Sequence, residues 1–159
     1  MIIYSIKLNG KYVRNNTTLM SYPIGDRLYK INGTNKVEIS TDEGKFTYII
    51  YPGFVTNYRS GGPLVDIFID QMGSIWSQLA YLIHDLNYTP CLALRMDHPL
   101  SRKASDELLK AMLIFGKMSV TKASIVYRAV RWFGGGAYKN DDFLTDVNPQ
   151  LFHFEWTDK

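Results

Sequence analysis

His84 stands beside Asp85, with Tyr88 four residues on and Asp106 in the next helical stretch. A histidine, two carboxylates and a phenol act together only if folding brings them onto one wall, and the spacing allows that. On a helix His84 and Tyr88 share a face, with Asp85 about 100° around from His84. Asp106 falls in a segment that a short hairpin lays alongside the first. A histidine becomes a general base when a carboxylate fixes its tautomer and stabilises the imidazolium that forms. Asp106 suits that task. Asp85 diverges from its neighbour and suits another, such as holding a hard cation through oxygen. The same residues also read as a buried hydrogen-bonded brace between two helices, or, for Asp106, as a charge favourable to a helix N-terminus.

The elements that must position them divide the chain in two. Ile2–Ile6, Arg27–Ile31, Lys36–Ile39 and Phe46–Tyr51 are short and rich in β-branched and aromatic residues. Asn9-Gly10, Asn32-Gly33 and Asp42-Glu43-Gly44 are turn signals between them, so the block predicts a small antiparallel sheet of hairpins. Pro52-Gly53 ends the last strand. The period then becomes helical. Pro63 opens a short helix through Met72, and Ser74 caps a second that runs to Tyr88. Ser101 caps a third to about Phe115, closed by Gly116. Ser119 caps a fourth to Phe133, where Gly134-Gly135-Gly136 reads as a C-terminal stop. The fold class expected is α+β: an N-terminal small antiparallel sheet followed by helical hairpins. Residues 1–138 form one domain and 139–159 an acidic tail, solvated or strapped to a partner.

Other chemistries fail on inventory. A metal phosphohydrolase needs a histidine upstream of His84, and none exists. Zinc wants several clustered ligands, whereas His84, His98, His153 and Cys91 are widely spaced. Cys91 as a nucleophile is less economical than Cys91 as a small buried hydrophobe. The triple glycine follows a helix, whereas anion sites sit at helix N-termini. Arg128 and Arg131 precede it, favouring the helix's negative end or covering an acidic partner.

The set His84, Asp85, Tyr88 and Asp106 resembles the phospholipase A2 core, particularly its bacterial and parvoviral forms. That resemblance implies that His84 activates water, Asp106 orients it, Tyr88 braces the dyad and Asp85 binds calcium. Apart from the resemblance, the residues themselves allow backbone carbonyls of 58–62 to complete a cation's oxygen shell, but the paired glycines there read better as an ordinary loop before Pro63. The disulfides of secreted members are absent, and no clear glycine-rich calcium loop precedes the helix. A second resemblance covers about residues 50 to 138. Gly53-Phe54-Val55-Thr56-Asn57, His84-Asp85-x-x-Tyr88, Ser101-Arg102-Lys103-x-x-Asp106 and Tyr127–Tyr138 (YRAVRWFGGGAY) are similar, in order, to an uncharacterised tailed-phage family. Members usually carry Asp where this chain has Asn57. The family implies phage structural proteins as partners but no activity.

Composition sets the outer limits. The 159 residues, 46% hydrophobic and 14% aromatic, indicate a globular domain with a sizeable core. A net charge of +3 from scattered basic residues does not point to nucleic acid. One cysteine gives no internal disulfide, and no apolar run reaches bilayer length. The N-terminus lacks a signal-peptide pattern, so the expected location is the host cytoplasm, with the virion left open as a further destination. Two functions stand against each other. One is a His-Asp hydrolase acting on an ester, with a lipid ester as the leading substrate. The other is a virion or tail-associated protein without catalysis, contacting partners through Tyr22, Tyr58, Tyr138 and Trp156.

Overall fold

Asn9 and Gly10 both adopt positive φ, 52° and 79°, the mirror-image two-residue turn that Asn-Gly favours. The turn joins β1 (Ile3–Leu8) to β2 (Lys11–Tyr12), with Lys7 opposite Tyr12. The computed structural model describes residues 1–25, 28–56, 74–88, 100–140 and 151–158. The loop at 58–62, the short helix expected over 63–72, Cys91 and His98 lie outside them.

The strands form two sheets rather than one. β3 (Ser21–Gly25), β4 (Leu28–Ile31) and β7 (Val55–Thr56) pair in the order β3-β4-β7. β5 (Asn35–Thr41) and β6 (Gly44–Ile50) join β1 and β2 in the larger sheet. Asn32-Gly33 therefore links two sheets instead of closing a hairpin. Gly53, at φ 102°, provides the reversal that splits them. Its N–H donates to Ile31 O, and Phe54 O accepts from Ile31 N, folding the chain after β6 back onto β4.

The larger sheet ends on β8 (Phe152–Asp158), antiparallel to β6 in the order β2-β1-β5-β6-β8. These residues belong to the stretch expected as an acidic tail. Their acids conceal a period-two pattern: Phe152, Phe154 and Trp156 alternate with His153, Glu155 and Thr157. Trp156 packs at a tilt against Phe46, 4.2 Å between ring centroids, and Phe154 against Tyr48 at 4.9 Å. Trp156 is thus partly buried, with its ring packed against the core.

The helices are α1 (Ile75–Asn87), α2 (Arg102–Phe115) and α3 (Val120–Asn140). The caps fall where the sequence puts them: Ser74 Oγ accepts from Ser77 N and Ser101 Oγ from Ala104 N. α2 ends in a Schellman-type turn, with Lys117 N bonded to Ile114 O and Met118 N to Leu113 O. The left-handed residue there is Lys117 (φ 75°), not Gly116. Gly116 serves contact instead, since a Cβ on it would lie 2.5 Å from Trp76 Cβ.

α3 runs straight through the triple glycine, which the sequence reading takes as a stop. Glycine inside a helix costs about 1 kcal/mol against alanine, so something must offset it. A Cβ on Gly134 would sit 3.2 Å from Tyr88 Oη, and one on Gly135 3.3 Å from Arg102 Nη1. These glycines let α3 close on the start of α2 and the end of α1. α1 itself buries eleven of its thirteen residues, Tyr81, His84, Asp85 and Asn87 among them. Polar groups at such depth need partners.

Candidate active site

The side chains of the candidate site arrive from three helices. α1 presents His84, Asp85 and Tyr88, α2 presents Arg102 and Asp106, and α3 presents Arg131. His84 Nε2 lies 2.8 Å from Asp106 Oδ1, and both side chains are fully buried. Tyr88 Oη donates to the same Oδ1 at 2.5 Å. Its ring stacks on His84, with centroids 4.1 Å apart at 33°. Arg131 Nη1 takes the other carboxylate oxygen, Oδ2, at 2.9 Å.

Arg102 ties this cluster to α3. Its Nε donates to Tyr88 Oη at 3.2 Å, and its Nη2 to the carbonyls of Val130 (2.9 Å) and Arg131 (2.7 Å). Those carbonyls lie one helical turn before Gly134 and Gly135; the missing side chain of Gly135 leaves room for the guanidinium, and that of Gly134 for the Tyr88 ring.

Protonation follows from the surroundings. Burial pushes the His84 imidazole below its ordinary value, against the opposing pull of Asp106. Burial alone would raise Asp106, but hydrogen bonds from His84, Tyr88 and Arg131 outweigh it and hold the carboxyl below its usual range. With His84 neutral, the cation that keeps Asp106 ionised is Arg131. A carboxylate only accepts, so the His84 proton sits on Nε2 and donates to Asp106. Nδ1 then carries a bare lone pair. It is buried and has no hydrogen-bond partner among the described residues. Burial, then the adjacent carboxylate, also raises the Tyr88 phenol, which stays protonated and donating.

Asp85 is held apart from the dyad. Thr56 Oγ1, from β7, donates to its Oδ2, joining the smaller sheet to α1. Among the described residues no three His, Cys, Asp or Glu side chains converge as a metal site. The carbonyls expected to complete a calcium shell, at 58–62, lie outside those residues. The described donor set therefore offers calcium one carboxylate, with an oxygen already used by Thr56.

The sequence reading places His84, Tyr88 and Asp106 together, and so they are. Arg131, expected at a helix end or against an acidic partner, instead joins the site, as do Arg102 and Thr56, which the sequence did not single out. Arg102, Arg131 and Thr56 all sit within the motif blocks quoted above. His153 stands on β8 beside Glu155 at 3.1 Å, away from these helices. Tyr22 is exposed on β3. A cleft of about 800 Å³ at the β1–β2 turn is lined by Asn9, Lys11, Tyr12 and Arg14, with no histidine or carboxylate on its wall. No family model, curated protein or solved structure matches this chain.

Proposed function

We propose that the chain is a small phage-encoded hydrolase, phospholipase A2-like, in which the His84–Asp106 dyad activates water against an ester. The observation that supports this most directly is the pairing of a fixed Nε2–H with a bare, buried Nδ1. A brace uses only one ring nitrogen and leaves the other as an uncompensated cost of about 1–3 kcal/mol. A general base needs just that arrangement.

In the reaction, Nδ1 removes a proton from water as its oxygen attacks the ester carbonyl. Asp106 stabilises the imidazolium through Nε2–H, while Arg131 and Tyr88 keep the carboxylate ionised and aligned. Nδ1–H then protonates the departing alkoxide. Calcium, if bound at Asp85 with carbonyl oxygens from elsewhere in the chain, would supply an electrophile for the carbonyl. None of the steps above runs through it. The same reading takes the protein as made in the host cytoplasm, with a lipid ester as the leading substrate.

A second reading has its own support. The His84 and Asp106 side chains are both 0% exposed, and a hydrogen-bonded brace in a virion or tail protein needs no opening to solvent. His84→Ala separates the two. Under the hydrolase reading, wild type cleaves phosphatidylcholine vesicles or a chromogenic ester and the folded variant does not. Under the brace reading, neither protein turns over either substrate and the variant loses about 1–3 kcal/mol of stability. Calorimetric titration of calcium into wild type and Asp85→Asn tests the metal. Heat present in the first and gone in the second places calcium at Asp85, and no heat in either removes calcium from the proposal.

A further inference from the structure

His84 Nδ1 has a counterpart on the same helix. Tyr81 Oη is also buried without a hydrogen-bond partner among the described residues, and Tyr81 is only 1% exposed. Residues three apart on a helix are neighbours, with Cβ atoms roughly 5–6 Å apart. Asn87 Nδ2 also lacks a partner among the described residues, but Asn87 belongs to another interaction, because Tyr48 on β6 donates to its Oδ1 at 3.0 Å.

The two atoms are chemically complementary. Burial first, and the charge of Asp85 second, push the Tyr81 phenol up to about 12, so it remains a donor. Nδ1, with its proton on Nε2, is an acceptor only. A ligand meeting both must accept from the phenol and donate to the imidazole. A carboxylate or a fully ionised phosphate has no proton to donate. Calcium prefers hard oxygen ligands to an imidazole nitrogen. Water, or a hydroxyl group, satisfies both at once.

We propose that Tyr81 Oη and His84 Nδ1 form one binding site for a single water molecule or hydroxyl group. Resting on the hydrolase reading, that oxygen is the nucleophile, and Tyr81 is the residue that aims it. Tyr81 donates to one lone pair while Nδ1 receives the proton, leaving a second lone pair to form the new bond to the carbonyl carbon. The carbonyl π electrons move onto its oxygen. When they return, the alkoxide leaves and collects the proton from Nδ1, so the imidazole ends neutral.

The test uses Tyr81→Phe, which removes one oxygen and leaves the ring packed. Crystal structures of wild type and variant should show an ordered oxygen within hydrogen-bond distance of both atoms in the first and none in the second. Nitrogen NMR of labelled histidine should move the His84 Nδ1 signal toward that of a bare lone pair in the variant. Ester turnover should fall at least about tenfold. A dry or solvent-sealed gap between the atoms overturns the site, as does an Nδ1 signal unchanged by the substitution. Turnover equal to wild type overturns the aiming role. An ordered oxygen with no turnover by wild type leaves the binding site standing and removes the hydrolase reading alone.

Discussion

Arg131 Nη1 lies 2.9 Å from Asp106 Oδ2, the carboxylate oxygen opposite the one that His84 and Tyr88 share. One aspartate is thus bonded from three sides, by two helices other than its own. The ion pair is half in solvent, since Arg131 is 32% exposed and Asp106 fully buried.

Arg131→Met leaves that buried carboxylate without its cation. Breaking a fully buried pair costs about 3–5 kcal/mol, and solvent around the guanidinium lowers the figure here to about 1–3 kcal/mol. Urea unfolding at pH 7 should show the loss. Stability within 0.5 kcal/mol of wild type, roughly the noise of a neutral surface change, would mean that His84 and Tyr88 suffice to hold Asp106.

Acid should unfold the protein in two stages. His84 titrates below its ordinary value of about 6.5 in the native state. The unfolded chain therefore binds a proton there first, and stability present above about pH 6.5 drains away as pH falls, by at most about 1.4 kcal/mol per unit. Asp106 is also depressed, so its contribution is present above about pH 4 and is lost as pH falls through its native value. Around His84 the groups that matter are Asp106, Arg102 and Tyr88. Thermal melts from pH 8 to 3 should show the upper stage vanish in His84→Gln. Its persistence there would move the first stage to another residue.

Gly134→Ala should lower the melting temperature rather than raise it. Helix propensity alone predicts a gain of about 1 kcal/mol. The new methyl meets Tyr88 Cε1 and Oη at 3.2 Å, and Tyr88 cannot yield, being bonded to Asp106 and Arg102 and stacked on His84. A higher melting temperature would show that α3 can retreat without cost.

Removing residues 151–159 should unfold the larger sheet rather than trim a tail. The aromatic pairs Phe46–Trp156 and Tyr48–Phe154 would be lost, along with the ladder to β6. A fully buried aromatic contributes about 1.5–3 kcal/mol; Phe152 is buried and Phe154 and Trp156 partly so, so the three together are a large fraction of an ordinary domain's stability. Circular dichroism of the truncated chain checks this, and a cooperative melt near the wild-type temperature would refute it.

How much of this was legible beforehand depends on the range of the signal. Ser74 and Ser101 act through their own next turn, so a cap is visible in four residues and both helix starts are as read. His84 and Tyr88 share a face by helical period, and Asp106 sits on the matching side of its own helix. Three features needed the tertiary fold. Asn32-Gly33 looks like a hairpin turn, but whether flanking strands pair with each other depends on where Phe54 returns. The glycines at 134 and 135 look like a stop because their value lies in Tyr88 and Arg102, far away in sequence. β8 was hidden by charge, since counting acids says nothing about which face they occupy.

β6 pairs with β5 across a two-residue loop and with β8 only after the helices have intervened. During synthesis the β5–β6 hairpin can form as soon as it leaves the ribosome, yet the far side of β6 waits for almost all the remaining chain. Through that interval its backbone groups and the faces of Phe46 and Tyr48 are open to neighbouring nascent chains. The late arrival of one aromatic strand thus makes the speed of elongation, and access to a chaperone, part of what decides the yield of folded protein.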